Sequence, residues 1–510
     1  MQDLEEIFAP RGLYQAEDEE RVRQLEDAGV LLYAEPNFII TLDEVGTPGE
    51  AAALGDDGTG EASLFADEIV PPTDREDQWY FPLMGMSYAR KREITGEGIR
   101  IGIVDSGVYA EHWDLRNARI LPGTNYCVPE GDPERTNTQD TYGHGTFVTG
   151  LIAAGADGGG IAGLAPDVEL VPLKAFSGKT GSVANVIAGI YGGVDVYGCK
   201  ILNLSLGIPA ESTQLSTLRT AITHAREKGV LLVSAVGNLT SGTHAAEGDP
   251  LLYPAAFDEV IGVGALASNK TAASFSYRNR AVAIVAPGLS LRSLNITGDT
   301  HYTTGGGTSY AAPVVVAAAA LALSVRPDLS VDDLTNALCQ TAWDLGDPGY
   351  DTTYGYGMLH VGSLLTFLLK DGENQAAFLA EELSGAMVLL ARYDSRGALL
   401  SLHRAAAYEP DLDSPEREAE NPEEADSGGT SSEKVEPASD GGDGGDTGTN
   451  PGGTDSDSTE TDSDGTGSSP AEKDSGDAGG GTETGPTSWK IFALEPETLS
   501  PLRDASYSDT

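Results

Sequence analysis

An α/β domain with a mostly parallel central sheet flanked by helices is predicted between Gln78 and Leu369 by three features of the sequence. Short runs rich in Val, Ile and Leu recur there: IRIGIVD, VELVPLKAF, CKILNLSLG, GVLLVSAVGN, EVIGVGA and AVAIVAPG. Each is continuously apolar instead of alternating, the pattern of strands covered on both faces. Ala- and Gly-rich stretches of helical length separate them, which gives the strand-then-helix order of a parallel sheet. Ligands of such sheets meet the carboxyl ends of the strands, so residues just after these runs are the first places to look for chemistry.

Ahead of this domain, Ala16 to Ala28 predicts a short charged helix stopped by Gly29, and VLLYA and NFIITL predict strands on either side of Glu35-Pro36. Residues 1–45 therefore read as a small α/β unit. Residues 46–77 are rich in Gly, Ala, Pro and acid with no sustained period, which predicts a linker or a surface-bound extended segment, open to proteases. Beyond the domain, residues 384–407 predict a hairpin turning at Asp394 to Gly397, and residues 488–503 contain the strand WKIFAL. The tract between them, 408–487, is Asp, Glu, Gly, Ser and Thr with almost no apolar surface to bury, and predicts a disordered acidic linker. Its two flanks are expected to pair as one β module split by the tract.

The formal net charge is −48, but by count about −17 falls before Gln78 and about −20 between Tyr408 and Trp489. Acid in the flanks favours solubility and repels polyanions, which argues against nucleic acid as a partner. Cys127, Cys199 and Cys339 are too scattered for a disulfide framework and read as buried free thiols. No stretch approaches the about 20 apolar residues of a membrane span. The start, MQDLEEIFAPRG, has neither the basic end nor the apolar core of a signal peptide, so the chain works inside the cell or continues upstream of Met1.

Three motifs carry chemistry. The strand IRIGIVD ends on Asp105, within Asp105-Ser106-Gly107. His144 stands in Gly143-His144-Gly145-Thr146 at the start of the helical run FVTGLIAAG, between glycines that allow close backbone approach. Ser309 stands in Gly307-Thr308-Ser309-Tyr310-Ala311-Ala312-Pro313 at the entrance of an Ala/Val-rich helix, whose amino end favours negative charge. Singly, the first also reads as a turn and the second as an ordinary loop or helix cap, while the third is rarer at a helix start. Together they supply a carboxylate to orient an imidazole, an imidazole to take a proton, and a hydroxyl to attack a carbonyl.

From about Gln78 to Leu365, this order of motifs resembles the subtilase family of serine peptidases. The resemblance implies a subtilisin-like three-layer fold and a serine endopeptidase acting through an acyl-enzyme, with Asp105, His144 and Ser309 as triad. It also implies an oxyanion role for Asn238, at the end of GVLLVSAVGN. By the same resemblance, peptide substrates add as a strand between Ser205-Leu206-Gly207 and the run from Ser177 to Ser182. Ala235, Val236 and Gly237 would wall the main specificity pocket, and Leu252 would shorten it, favouring medium apolar side chains over large aromatics.

The family further implies a structural calcium ion held by Gln78, Asp114 and the loop Gly155 to Ile161, with Asp157 and Gly159 in it; oxygen donors suit calcium. No organic cofactor is implied. Two residues depart from the pattern: Phe147 replaces a histidine after the His144 motif and Tyr310 replaces an oxidation-sensitive methionine beside Ser309, which implies activity that tolerates peroxide. The segment ending VLLYAEPNFIITL resembles the last part of an inhibitor prodomain, without a recognisable first strand. This implies a secreted or cell-surface monomer whose signal peptide precedes Met1 and whose own prodomain inhibits it; a cytoplasmic enzyme is the alternative. A processing protease with a narrow substrate, or a silent peptide-binding surface protein, would have the same fold.

Overall fold

The computed structural model describes residues 5–8, 11, 13–15, 19–27, 34–42, 78–155, 159–240, 243–383, 387–393, 399–406, 488–494 and 501–507. The apolar runs become one sheet whose strands lie in the order Ile284–Pro287, Ile261–Leu266, Leu231–Ala235, Ile201–Leu204, Arg100–Asp105, Glu169–Lys174 and Arg119–Ile120. Every neighbouring pair in that series is parallel, with Ile201 opposite both Ile101 and Leu231.

Successive side chains of a strand point to opposite faces, and here both faces are apolar. Ile101, Ile103, Ile201, Leu231 and Val233 join the core packed under the helices His144–Ala153 and Thr308–Val325. Val104, Leu202, Leu204 and Leu232 join the core under the helices Val183–Tyr191 and Ser216–Glu227. Helix, sheet and helix make the three layers that the sequence predicts, and this sandwiching is why the strands read as unbroken apolar runs.

Some sequence expectations change. The helix Thr308–Val325 is long and apolar enough to cross a membrane, contrary to the composition reading, but it is buried as the central core helix. Of the cysteines, only Cys199 is fully buried; Cys127 and Cys339 are half-buried, and all three thiols are free. Burial pushes Cys127 and Cys339 up to about 11 and Cys199 up to about 12, so all three stay protonated at neutral pH.

At the chain start, Glu5–Phe8 and Leu13–Gln15 form an antiparallel hairpin where the sequence shows no strand. The predicted helix is found at Glu19–Asp27. NFIITL supplies the strand Ile39–Thr41; most of VLLYA, and all of residues 46–77, lie outside the described residues. At the other end, Met387–Tyr393 pairs antiparallel with both Leu399–Arg404 and Ser488–Leu494, and a further strand, Pro501–Tyr507, adds beyond. The predicted turn at Asp394 to Gly397 and the acidic tract lie outside the described residues.

Candidate active site

Asp105 is the last residue of its strand and is 1% exposed. Its carboxylate meets Nδ1 of His144 at 2.8 and 2.9 Å and accepts the Ser106 N–H at 2.7 Å. Contacts to both oxygens require a proton on Nδ1, which leaves Nε2 as the basic nitrogen. The approach depends on Gly145: a Cβ there would lie 2.2 Å from the Gly107 carbonyl oxygen and 3.2 Å from the Asp105 Cβ. Gly143, at the helix cap, has φ +109°, a left-handed conformation that favours glycine.

Two residues that sequence reasoning missed hold this turn. Asp140 accepts the N–H groups of Tyr142 and Gly143 on one oxygen and the N–H and O–H of Thr146 on the other. It satisfies donors that the helix cannot satisfy itself. An acid four residues ahead of a helix-starting histidine was the available signal. Lys174 donates to the carbonyl oxygens of Ser106 and Gln139 at 2.6 and 2.7 Å, tying the two loops beside the Asp105–His144 pair. Burial lowers its pKa from the ordinary lysine value.

Ser309 is in the first turn of its helix, where backbone N–H groups have no intrahelical acceptor. Pro313 has no N–H to give to the Ser309 carbonyl one turn back. That carbonyl instead accepts the Ser205 hydroxyl at 2.6 Å, and Ser205 accepts from Asn203. The Ser309 hydroxyl is buried and makes no hydrogen bond among the described residues, and so none to His144; the ring of the next residue, Tyr310, stands 5.4 Å from the imidazole. Such contacts commonly tighten only when substrate is bound.

Asn238 uses its side-chain oxygen to accept the N–H and O–H of Thr308, at 2.9 and 3.0 Å. The amide nitrogen is thereby turned the other way. The point where a Cβ on Gly307 would sit is 3.8 Å from that nitrogen and 3.0 Å from the Ser309 Oγ. A hydroxyl and an amide donor thus border one small space, while a carboxylate-held imidazole lies on the adjoining helix. The arrangement can add a hydroxyl to a carbonyl and stabilise the resulting oxyanion.

The family model of the subtilase family matches residues 96–357, more than half of the chain and all of these residues. The chain belongs to the subtilase family. Subtilisin DY of Bacillus licheniformis is 37% identical over 281 residues, which cover 55% of this chain and 95% of that protein. Subtilisin Savinase of Lederbergia lenta is 37% identical over 274 residues, covering 53% and 92%. The minor extracellular protease Epr of Bacillus subtilis (strain 168) is 29% identical over 394 residues, covering 76% of this chain and 56% of that protein. The protein is a subtilisin-like serine endopeptidase acting on proteins.

In this subtilase, the other predicted site residues fall in three places. Gly207 and Gly237 face one another across the Leu252 side chain, whose Cδ1 would be 2.7 and 2.6 Å from a Cβ on either glycine. Ala235 ends its strand, Leu206 is buried beside Gly207, and the Val236 side chain is buried in the core. The strand Thr180–Ser182 is paired, antiparallel, with the chain's own Ile39–Thr41: Ile40 lies opposite Gly181, and Leu42 N–H donates to the Lys179 carbonyl. Ile40 and Leu42 are buried. Glu35 accepts the Ser216 O–H and Thr217 N–H at the start of one helix, and Asn37 accepts the Ala184 N–H at the start of another.

Gln78 and Asp114 converge on the loop from Gly155 to Ala162. Gln78 Oε1 accepts the Ala162 N–H, and Asp114 accepts the Ile161 N–H and the Tyr302 O–H, each at 2.9 Å. Burial, and then the Asp114 charge, raise the Tyr302 hydroxyl above its ordinary pKa and keep it a donor. Gly155 donates to the Asp114 carbonyl, whereas Asp157 lies outside the described residues. Among the described residues no group of three or more His, Cys, Asp or Glu side chains gathers for a metal.

Proposed function

We propose that peptide bonds are cleaved by Ser309 as nucleophile, with His144 as general base, Asp105 as its orienting partner and Asn238 as oxyanion donor. The observation that carries this is the buried Asp105 carboxylate on Nδ1 of His144. His144 takes the Ser309 proton as Oγ attacks the carbonyl carbon; the oxyanion is met by the Asn238 amide and the Ser309 N–H. The protonated imidazole then gives its proton to the leaving amine as the C–N bond breaks. Water, activated by His144, hydrolyses the acyl-enzyme.

Substrates are extended polypeptides that add as a strand along Thr180–Ser182 and Ser205-Leu206-Gly207, a mode that reads backbone and favours broad proteolysis over narrow processing. Leu252 between its two glycines supports a shallow main pocket. On a peptide library and on casein, the enzyme is expected to cut at many bonds and to prefer Leu over Phe before the scissile bond. Leu252→Gly is expected to raise kcat/KM on Phe substrates by about tenfold, the scale of discrimination of an apolar pocket. Cleavage of a single library sequence, or equal use of Phe and Leu by the parent enzyme, contradicts this reading.

The N-terminal segment is proposed to act as an intramolecular inhibitor, because Ile39–Thr41 lies on the edge that substrate would use and Glu35 and Asn37 cap two helices of the catalytic domain. A monomeric enzyme working outside the cell fits this precursor organisation and the extracellular protease among its relatives.

A structural calcium ion fits the donor set: the Gln78 side-chain oxygen, the buried Asp114 carboxylate, the carbonyls of Gly155, Gly159 and Ile161, and Asp157 are all hard oxygens. A bound ion would clamp this loop and supply no step of the reaction. Chelation is expected to lower Tm by about 5–10 °C relative to calcium about 100-fold above Kd, with recovery on adding calcium but not magnesium. An unchanged Tm in chelator removes the ion from the account.

A further inference from the structure

The two departures from the family pattern, Phe147 and Tyr310, touch one another. Their rings stack with centroids 4.0 Å apart and planes at 27°. The Tyr310 ring also neighbours His144: the imidazole centroid is 5.4 Å away, with the two planes tilted at 31°. All three side chains are buried. Phe147 lies one turn after His144 on its helix, and Tyr310 follows Ser309 on the other. The stack therefore joins the helix of the base to the helix of the nucleophile. Its surroundings fit it closely: a Cβ on Gly305 would be 2.7 Å from Tyr310 and 3.4 Å from Phe147, and the Phe147 carbonyl is held by the Ser293 hydroxyl at 2.7 Å.

We propose that Tyr310 and Phe147 are one coupled positioning device, in which the Tyr310 ring supports the His144 imidazole and favours its protonated form, and Phe147 fixes that ring. An aromatic face attracts a cation at this separation, and a stacked partner holds the ring where two residues of the family pattern, a methionine and a histidine, would pack differently. The other charged groups nearby are committed. Asp105 is engaged by Nδ1, Asp140 by backbone N–H groups and the Thr146 hydroxyl, and the Lys174 ammonium by the carbonyls of Ser106 and Gln139. Tyr310 is thus the aromatic neighbour of an imidazole whose Nδ1 is engaged by Asp105.

The inference rests on His144 as the base, and a double-mutant cycle separates the two. Phe147→His, Tyr310→Met, the pair together, and Tyr310→Phe are compared by kcat/KM against pH, normalised to active sites titrated with a fluorophosphonate, and by Tm. Tyr310→Met is expected to move the acid limb of the profile about half a pH unit lower, because a protonated imidazole loses its aromatic face, whereas Tyr310→Phe keeps the limb in place. The pair is expected to retain at least about threefold more activity than the product of the single losses, the signature of residues in contact. Additive losses with an unmoved limb overturn the proposal, as does a limb that moves equally in Tyr310→Phe. Non-additive Tm values with no pH limb attributable to His144 would instead keep the stack and reject the base.

Discussion

Replacing His144 with alanine is expected to lower kcat by about 10⁶, a magnitude taken from subtilisin itself, and to leave KM nearly unchanged. Without a base the Ser309 hydroxyl must attack while holding its proton, so the first covalent step stalls. Adding Ser309→Ala to the same chain is expected to cost almost nothing further, because groups acting as one unit are lost together. Residual turnover of about 10³–10⁴ over water would remain from the oxyanion donors and substrate positioning. The measurement is peptide hydrolysis by single and double variants; independent, multiplying losses would contradict a shared proton path.

Asp105→Asn is expected to lower kcat by about 10⁴ at neutral pH with the fold intact. The amide retains an oxygen for the Ser106 N–H, so the strand end keeps its turn. Its nitrogen, however, donates to Nδ1 of His144 and forces the ring proton onto Nε2, the atom that must be free to accept from Ser309. Unfolding curves matching the parent, together with the loss in kcat, distinguish a wrong tautomer from a damaged core. A variant retaining a tenth of the parent rate would show that Asp105 does not set the tautomer.

The residues proposed for chemistry were legible because the physics placing them is local. An apolar run must end where the sheet ends, and Asp105 and Asn238 stand at or just past such ends; His144 and Ser309 stand at helix starts that glycines mark. What was not legible depends on loops meeting in space. Asp140 belongs to no motif until four donors are found on it, and Lys174 reads as a strand residue until its ammonium reaches two carbonyls. Phe147 and Tyr310 read as separate departures because nothing in either motif says that their rings stack. The strands Glu5–Phe8 and Pro501–Tyr507 escaped notice since EEIF and PLRDASY hold acid, Pro and few β-branched residues, so pairing with neighbours, not propensity, makes them strands.

The account as a whole depends on one hydroxyl being activated by one imidazole. A fluorophosphonate probe followed by peptide mapping reads this directly. The label is expected on Ser309 of the parent enzyme, strongly slowed in His144→Ala and absent from Ser309→Ala. A label on any other residue, or one that forms at the parental rate without His144, would contradict it.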